Sequence, residues 1–260
     1  MIPIVKKVLA TTRFEFVRSF TRQRIGILGV LVAFPPAMLL VVSLIEGSQY
    51  SILMTNVMVL FVGLLSLLLW ASPNVHGELE ARSWAYVTSR RQGRFCILFG
   101  KYLNAVLWGI IVGWTSITLC SIVIYFFDRQ PNLHKTWLLF SIMVFVASPI
   151  YAAIFSLIGV IFSRRSMVFG AGYIIVGEMG FAWIPANINK VTGGFHLFSL
   201  STYLFGWNWF PIPKQEFVTI YGSTSLVGSI SFLIAIPIVC LVLAAFIVRW
   251  REYIHADESG

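Results

Sequence analysis

The chain has 260 residues, of which 58% are hydrophobic and only 11% charged, with a mean hydropathy of +0.85; soluble globular domains carry about 25% charged residues, so that class is excluded. Uncharged runs near the roughly 20 residues needed to cross a bilayer recur along the whole length and leave no room for a separate soluble domain. The net charge of +9 has a topological explanation, worked out below, and does not point to nucleic acid.

Residues 1–25 form the first predicted element. In "VKKVLATTRFEFVRSFTRQR", Val5, Val8, Leu9, Thr12, Phe16 and Phe20 fall on one side of a helix, with Lys7, Arg18 and Arg22 opposite and Phe14 off the stripe. Such a helix is expected to lie in the membrane interface, where each basic residue gains about 1 kcal/mol from anionic lipid. A single transmembrane domain, 26–260, follows. Six spans are expected, at about 26–45, 51–71, 104–127, 137–162, 167–183 and 225–248, because lipid offers a backbone no hydrogen-bond partner outside its own helix. The first is too long, and starts too late, for a cleavable signal. The fold class is therefore all-α integral membrane, with a tail at 249–260.

With six spans, fifteen Lys and Arg fall on one side and four on the other. The positive-inside rule puts both termini, the 72–101 loop and Arg164-Arg165 in the cytoplasm of a multi-pass protein of the inner membrane. Trp70 and Trp250 are expected at inner boundaries, and Trp137, Trp183, Trp207 and Trp209 at outer ones, as interfacial anchors.

Between spans 2 and 3 lies a polar island, "GELEARSWAYVTSRRQGRFCILFGKY", Gly77 to Tyr102. Pro73 breaks the preceding helix, and "HGELEARSWAYV" is expected as a short helix with Glu78, Glu80 and Arg82 near its start. The basic run "SRRQGRFCILFGK" follows it, and for Arg90, Arg91 and Arg94 fixing topology is as good a reading as any functional one.

On these residues the island resembles the first cytoplasmic loop of ABC-2 type permeases, the membrane subunits of ABC exporters. Their pattern runs roughly E-x-E-x-G-T-L-x-x-L-L-S-x-P-x-x-R, five residues, then G-K. Glu78, Glu80, Ser89, Arg94 and Gly100-Lys101 match it without a gap, while Arg82, Ser83, Trp84 and Arg91 stand where it has glycine, threonine, leucine and proline.

The resemblance implies a non-catalytic permease whose loop 72–101 carries a coupling helix that docks on a separate ABC ATPase subunit. It implies a second permease subunit, with ATP and Mg bound by the ATPase and no cofactor in this chain. The only approach to a phosphate-binding loop, Gly93 to Lys101, has six residues between its glycines where four are needed. Lipids, peptides, antibiotics, polysaccharides and ions are all handled within that family, and no residue here selects among them.

Glu178, in "YIIVGEMGFAWIP", is the one ionisable residue well inside an expected span. An acid there costs roughly 2.5 to 3.5 kcal/mol on insertion scales and is a candidate for the substrate path or a gate; the plainer reading is a paired glutamate that bonds a helix break beside Gly177 and Gly180. After it, 185–216 is aromatic and poor in charge, and is expected to form short re-entrant or interfacial segments on the outer face. Cys96, Cys120 and Cys240 are too scattered for a metal or disulfide framework, and the four histidines are isolated. The alternatives to an exporter subunit are an ion-coupled carrier or channel, which usually carries several ionisable groups along its path, and a membrane anchor subunit of a larger complex.

Overall fold

The computed structural model describes residues 4–45, 51–73, 76–80, 92–127, 133–180, 187–205 and 225–251. Every regular element among them is helical. They are α1 (Ile4–Arg18), α2 (Arg22–Ile45), α3 (Ser51–Ala71), α4 (His76–Glu80), α5 (Gly93–Phe127), α6 (Leu133–Ile161), α7 (Ser166–Gly172), a π-helical stretch (Tyr173–Gly180), a 3-10 turn (Asn187–Val191), α8 (Gly193–Phe205) and α9 (Leu226–Trp250).

The chain is an all-α, multi-pass membrane-spanning protein. Five segments among the described residues are long and apolar enough to cross a bilayer: Arg22–Leu44, Leu60–Glu78, Gly93–Phe127, Leu133–Ile161 and Leu226–Trp250. The expected span 167–183 corresponds to the shorter apolar run Ser166–Gly180, which changes from α- to π-helix part-way. Large apolar side chains point outward along α2 and α9, among them Val30, Val41, Val239 and Val242, as a lipid-facing surface requires.

Side chains from neighbouring helices satisfy backbone groups that lipid leaves bare. Pro36 lies inside α2 and brings no N–H to the carbonyl of Val32; Ser116 of α5 donates to that carbonyl at 3.5 Å. Packing in a bilayer gains nothing from expelling water, so close approach matters more. Leu67 of α3 fits against Gly109 of α5, where an added Cβ would sit 2.5 Å from its Cδ2.

Two features differ from those expected. Helix α5 begins at Gly93, not Asn104, so Arg94, Gly100 and Lys101 are helical and not part of a loop. The chain enters it through Gln92, whose φ of 67° is the left-handed conformation that lets the helix start abruptly. The second is a rotation. The face of α1 that packs on the bundle carries Thr12, Glu15 and Ser19, roughly a sixth of a turn from the centre of the apolar stripe, which shares Thr12, and leaves Val5, Leu9 and Phe20 exposed. The polar face fits close against α5, and of the apolar stripe Phe16 stacks on Trp108 while Val5 and Leu9 stay free for the membrane. The expected inner anchor Trp70 is also buried, with its ring 5.6 Å from that of Trp108, whereas Trp250 is exposed.

One end of the bundle gathers α1, α4, the start of α5 and the ends of α6 and α9. Arg94 of α5 donates to the carbonyls of Val248 and Arg249 at 3.2 and 2.9 Å, and Arg251 donates to those of Val160 and Ile161 at 3.4 and 2.5 Å. Each guanidinium thus caps the C-terminus of a neighbouring helix, where bare carbonyls and the helix dipole both favour a cation.

Candidate functional site

Of the buried glutamates, Glu78 and Glu178, one toward each end of the bundle, organise the polar groups. At the α1 end, Glu78 of α4 is only 3% exposed and its Oε1 lies 2.6 Å from Nζ of Lys101 in α5. Arg18 of α1 stands 3.7 Å from the same oxygen and 3.8 Å from Glu15. A carboxylate taken out of water is costly unless a cation and hydrogen bonds replace the water; that pairing ties the short α4 to α5.

The contact continues into the α1–α2 corner. Ser19 folds its hydroxyl back on the carbonyl of Glu15 at 2.7 Å and receives Nδ2 of Asn104 at 3.4 Å and Nη1 of Arg24 at 3.5 Å. Thr21 caps α2 by accepting from the backbone N–H of Arg24. Gly100 lets α1 lie against α5: a Cβ there would meet Cγ2 of Thr11 at 2.7 Å. The rings of Phe16 and Trp108, 5.2 Å apart, extend the contact on its apolar side. Glu15, Arg18, Glu78, Lys101 and Asn104 line a polar cavity of about 80 Å³.

At the other end, Glu178 occupies the π-helical stretch. Its Oε1 accepts from the Tyr173 hydroxyl at 2.7 Å, and its Oε2 accepts from Tyr151 of α6 at 3.0 Å and from the backbone N–H of Gly194 at 2.9 Å. The wider π turn brings residues five apart onto one side, which is how Tyr173 reaches Glu178. Gly194 is the second residue of α8, so the carboxylate sits on that helix's N-terminus, where the dipole favours an anion. Thr192 takes the N–H of Phe195 in the same cap. A Cβ at position 194 would lie 2.6 Å from Oε2, so this contact needs glycine.

Helix α8 then leans on α9, with Ser229 donating to Ser199 at 3.3 Å and the rings of His196 and Phe232 stacked 3.9 Å apart. Burial holds His196 below the ordinary histidine value, partly offset by its Nε2 bond to the Lys190 carbonyl.

Of the residues singled out from sequence, Glu78, Lys101, Gly100 and Arg94 are brought into or beside the α1-end cluster. Arg82, Ser83, Trp84, Ser89, Arg90 and Arg91 lie outside the described residues, as does the side chain of Glu80. Glu178 lies within the π-helical stretch and accepts from Tyr151, Tyr173 and the N–H of Gly194. Sequence reasoning missed Arg18, Asn104, Tyr151 and Gly194; only the serial pattern Tyr173 to Glu178 was a local signal. The segment 185–216 does contain short helical pieces, Asn187–Val191 and Gly193–Phe205, with 206–216 outside the described residues. The three cysteines are free, and no cluster of metal-ligating residues occurs among the described residues.

No protein-family model matches the chain, and neither does any curated protein.

Proposed function

We propose that the chain is the transmembrane permease subunit of an ABC-2 type ATP-driven exporter. It couples ATP hydrolysis on a separate ABC ATPase to movement of a substrate across or out of the cytoplasmic membrane. In this reading both termini and the α1 end face the cytoplasm, Ser166–Gly180 and the residues after it complete a sixth span, α1 lies in the inner interface, and a second permease subunit completes the assembly. ATP and Mg belong to the ATPase.

One observation carries the reading: Glu78, at the head of the island that resembles the family's coupling loop, is paired with Lys101 of α5 and lies beside Arg18 of α1. An ATPase pushing on residues 80–91 would move α4, and a buried ion pair resists separation because each charge left alone would lose its counter-charge in a poorly solvated site. The displacement therefore passes to α5 and α1 together, and through Arg94 to the end of α9. Glu178 holds the opposite end of the bundle in register and is assigned a positioning role.

The carrier alternative calls for ionisable groups along a path, and Glu178 is already engaged by three donors. The test is purification of the chain from its native membrane. An ABC ATPase is expected to co-purify, and substitutions confined to 80–91, with Glu78 left in place, are expected to release it without unfolding the permease. A chain that purifies without any ATPase, at full transport competence, would refute the proposal.

A further inference from the structure

Helix α8 is held at two places by different chemistry. Its N-terminus is fixed: the backbone N–H of Gly194 donates to Glu178 at 2.9 Å and that of Phe195 to Thr192 at 3.3 Å. Further along, the helix is seated on α9 by the ring of His196, stacked on Phe232 with centroids 3.9 Å apart, and by Ser229 donating to Ser199. Leu200 and Leu204 of α8 wall an apolar groove of about 620 Å³ against α6 and α9, so a shift of this helix changes the groove's width.

His196 is only 5% exposed, and its bonding fixes its tautomer. The Lys190 carbonyl, 2.8 Å from Nε2, can only accept, so Nε2 carries the hydrogen and Nδ1 keeps the lone pair of the neutral ring. Nδ1 is buried and has no hydrogen-bond partner. A proton taken up there creates a charged N–H with no acceptor to meet it, which is costly in a site shut off from water.

Among the described residues, the charged and titratable groups of the elements packed around α8 offer no such acceptor. Lys190 of the 3-10 turn is itself a cation, and both oxygens of Glu178 are taken by Tyr173, Tyr151 of α6 and Gly194. His134 and Lys135 of α6 lie about 24 Å or more along that helix from Tyr151. Helix α9 presents Phe232 and Ser229, and its nearest titratable group, Cys240, is about 12 Å beyond Phe232. On α8 itself only Tyr203 titrates besides His196, about 10 Å farther on.

We propose that α8 is an acid-sensitive flap: protonation of His196 at Nδ1 loosens its seat on α9, and the C-terminal half of α8 moves away about its fixed Gly194 end. Acid favours the moved state because the imidazolium then gains access to water, which the closed state denies it. The lowering of His196 by burial agrees in sign. The inference uses only α8 and its contacts, so it stands or falls separately from the exporter reading.

The test is pulsed EPR on the full chain in phospholipid nanodiscs, with spin-labelled unnatural residues at the exposed positions Tyr203 of α8 and Val239 of α9. The fraction of molecules with a lengthened distance is expected to rise severalfold from about pH 7.5 to about pH 5.5, with most of the rise below about pH 6.5. His196→Phe, which keeps a ring on Phe232 and cannot titrate, should hold the short distance throughout. A disulfide made by the pair Ser199→Cys and Ser229→Cys, whose hydroxyls are 3.3 Å apart, should do the same, and its reduction should restore the response. Hydrogen exchange at Gly194 should stay slow at both ends of the range. A parent chain whose distance ignores pH would overturn the proposal, as would a response that the disulfide does not block. So would an equal acid response in His196→Phe, which would assign it to another group, or fast exchange at Gly194 in acid, which would mean that α8 unfolds instead of moving.

Discussion

Glu78 and Glu178 are both buried carboxylates, but they are stabilised in different ways. Glu78 faces two cations, Lys101 and Arg18, at the end of the bundle where Arg18 still reaches water. Glu178 has no cation within salt-bridge distance among the described residues and is held by two tyrosine hydroxyls and one backbone N–H at a helix terminus. A charged partner can be supplied at the rim of the membrane; deeper in, neutral donors and a helix dipole do the same work without adding another charge to be desolvated. The first arrangement resists being pulled apart, and the second fixes direction, because each of its three donors must point at one side chain.

Removing one member of the charged pair should have the largest effect. Lys101→Ala removes the nearer of the two cations facing Glu78 and leaves Arg18 at 3.7 Å, so it is expected to cost about 2 to 4 kcal/mol, while a joint Glu78→Gln and Lys101→Met exchange recovers most of it. Thermal unfolding of the purified chain reads both, and equal loss in the single and double variants would show that the pair is not the stabilising unit.

Glu178→Gln should cost less, about 1 to 3 kcal/mol, because its amide N–H₂ turns a donor toward a site that already holds three. The damage should be local, seen as faster hydrogen exchange at Gly194 and Phe195 with α1 unchanged. If transport at normal expression is also unchanged, Glu178 has no part in the substrate path. Gly194→Ala should reproduce the exchange effect through its Cβ, whereas Gly172→Ala, with nothing within 4 Å, should not.

A smaller change, about 0.5 to 1.5 kcal/mol, is expected for Tyr102→Phe, which frees the Pro149 carbonyl.

The least effect is a pH dependence at the α8 end. His196 is held below its ordinary value, so the unfolded chain takes up the proton first; the contribution of neutral His196 is complete above about pH 6.5 and is lost as pH falls through the folded value. His196→Gln should abolish that acid-side loss, and an identical pH profile would show that the imidazole does not contribute.

The contrast also explains what could be read from the residues alone. Spans such as Arg22–Ile45 and Leu226–Trp250 were legible because a bilayer demands length and apolarity, and both are local properties. The start of α5 was not, since Arg94 and Lys101 look like loop residues until their partners are known. Arg94 is satisfied by carbonyls 154 and 155 residues away. For Glu178 the break beside Gly177 and Gly180 was visible and the π geometry was not, because it is set by Tyr151 and Gly194 across the bundle. The orientation of α1 escaped for a related reason: its stripe reports affinity for the membrane, while its buried face is chosen by fit against Gly100 and Asn104.

The central claim is that residues following Glu78 receive an ATPase. A photoreactive phenylalanine analogue in place of Trp84 and, separately, in place of Tyr203 at the α8 end tests it in membranes holding the co-expressed ABC ATPase. The account predicts an adduct with the ATPase from position 84 and none from position 203; no adduct from 84, or equal adducts from both, would contradict it.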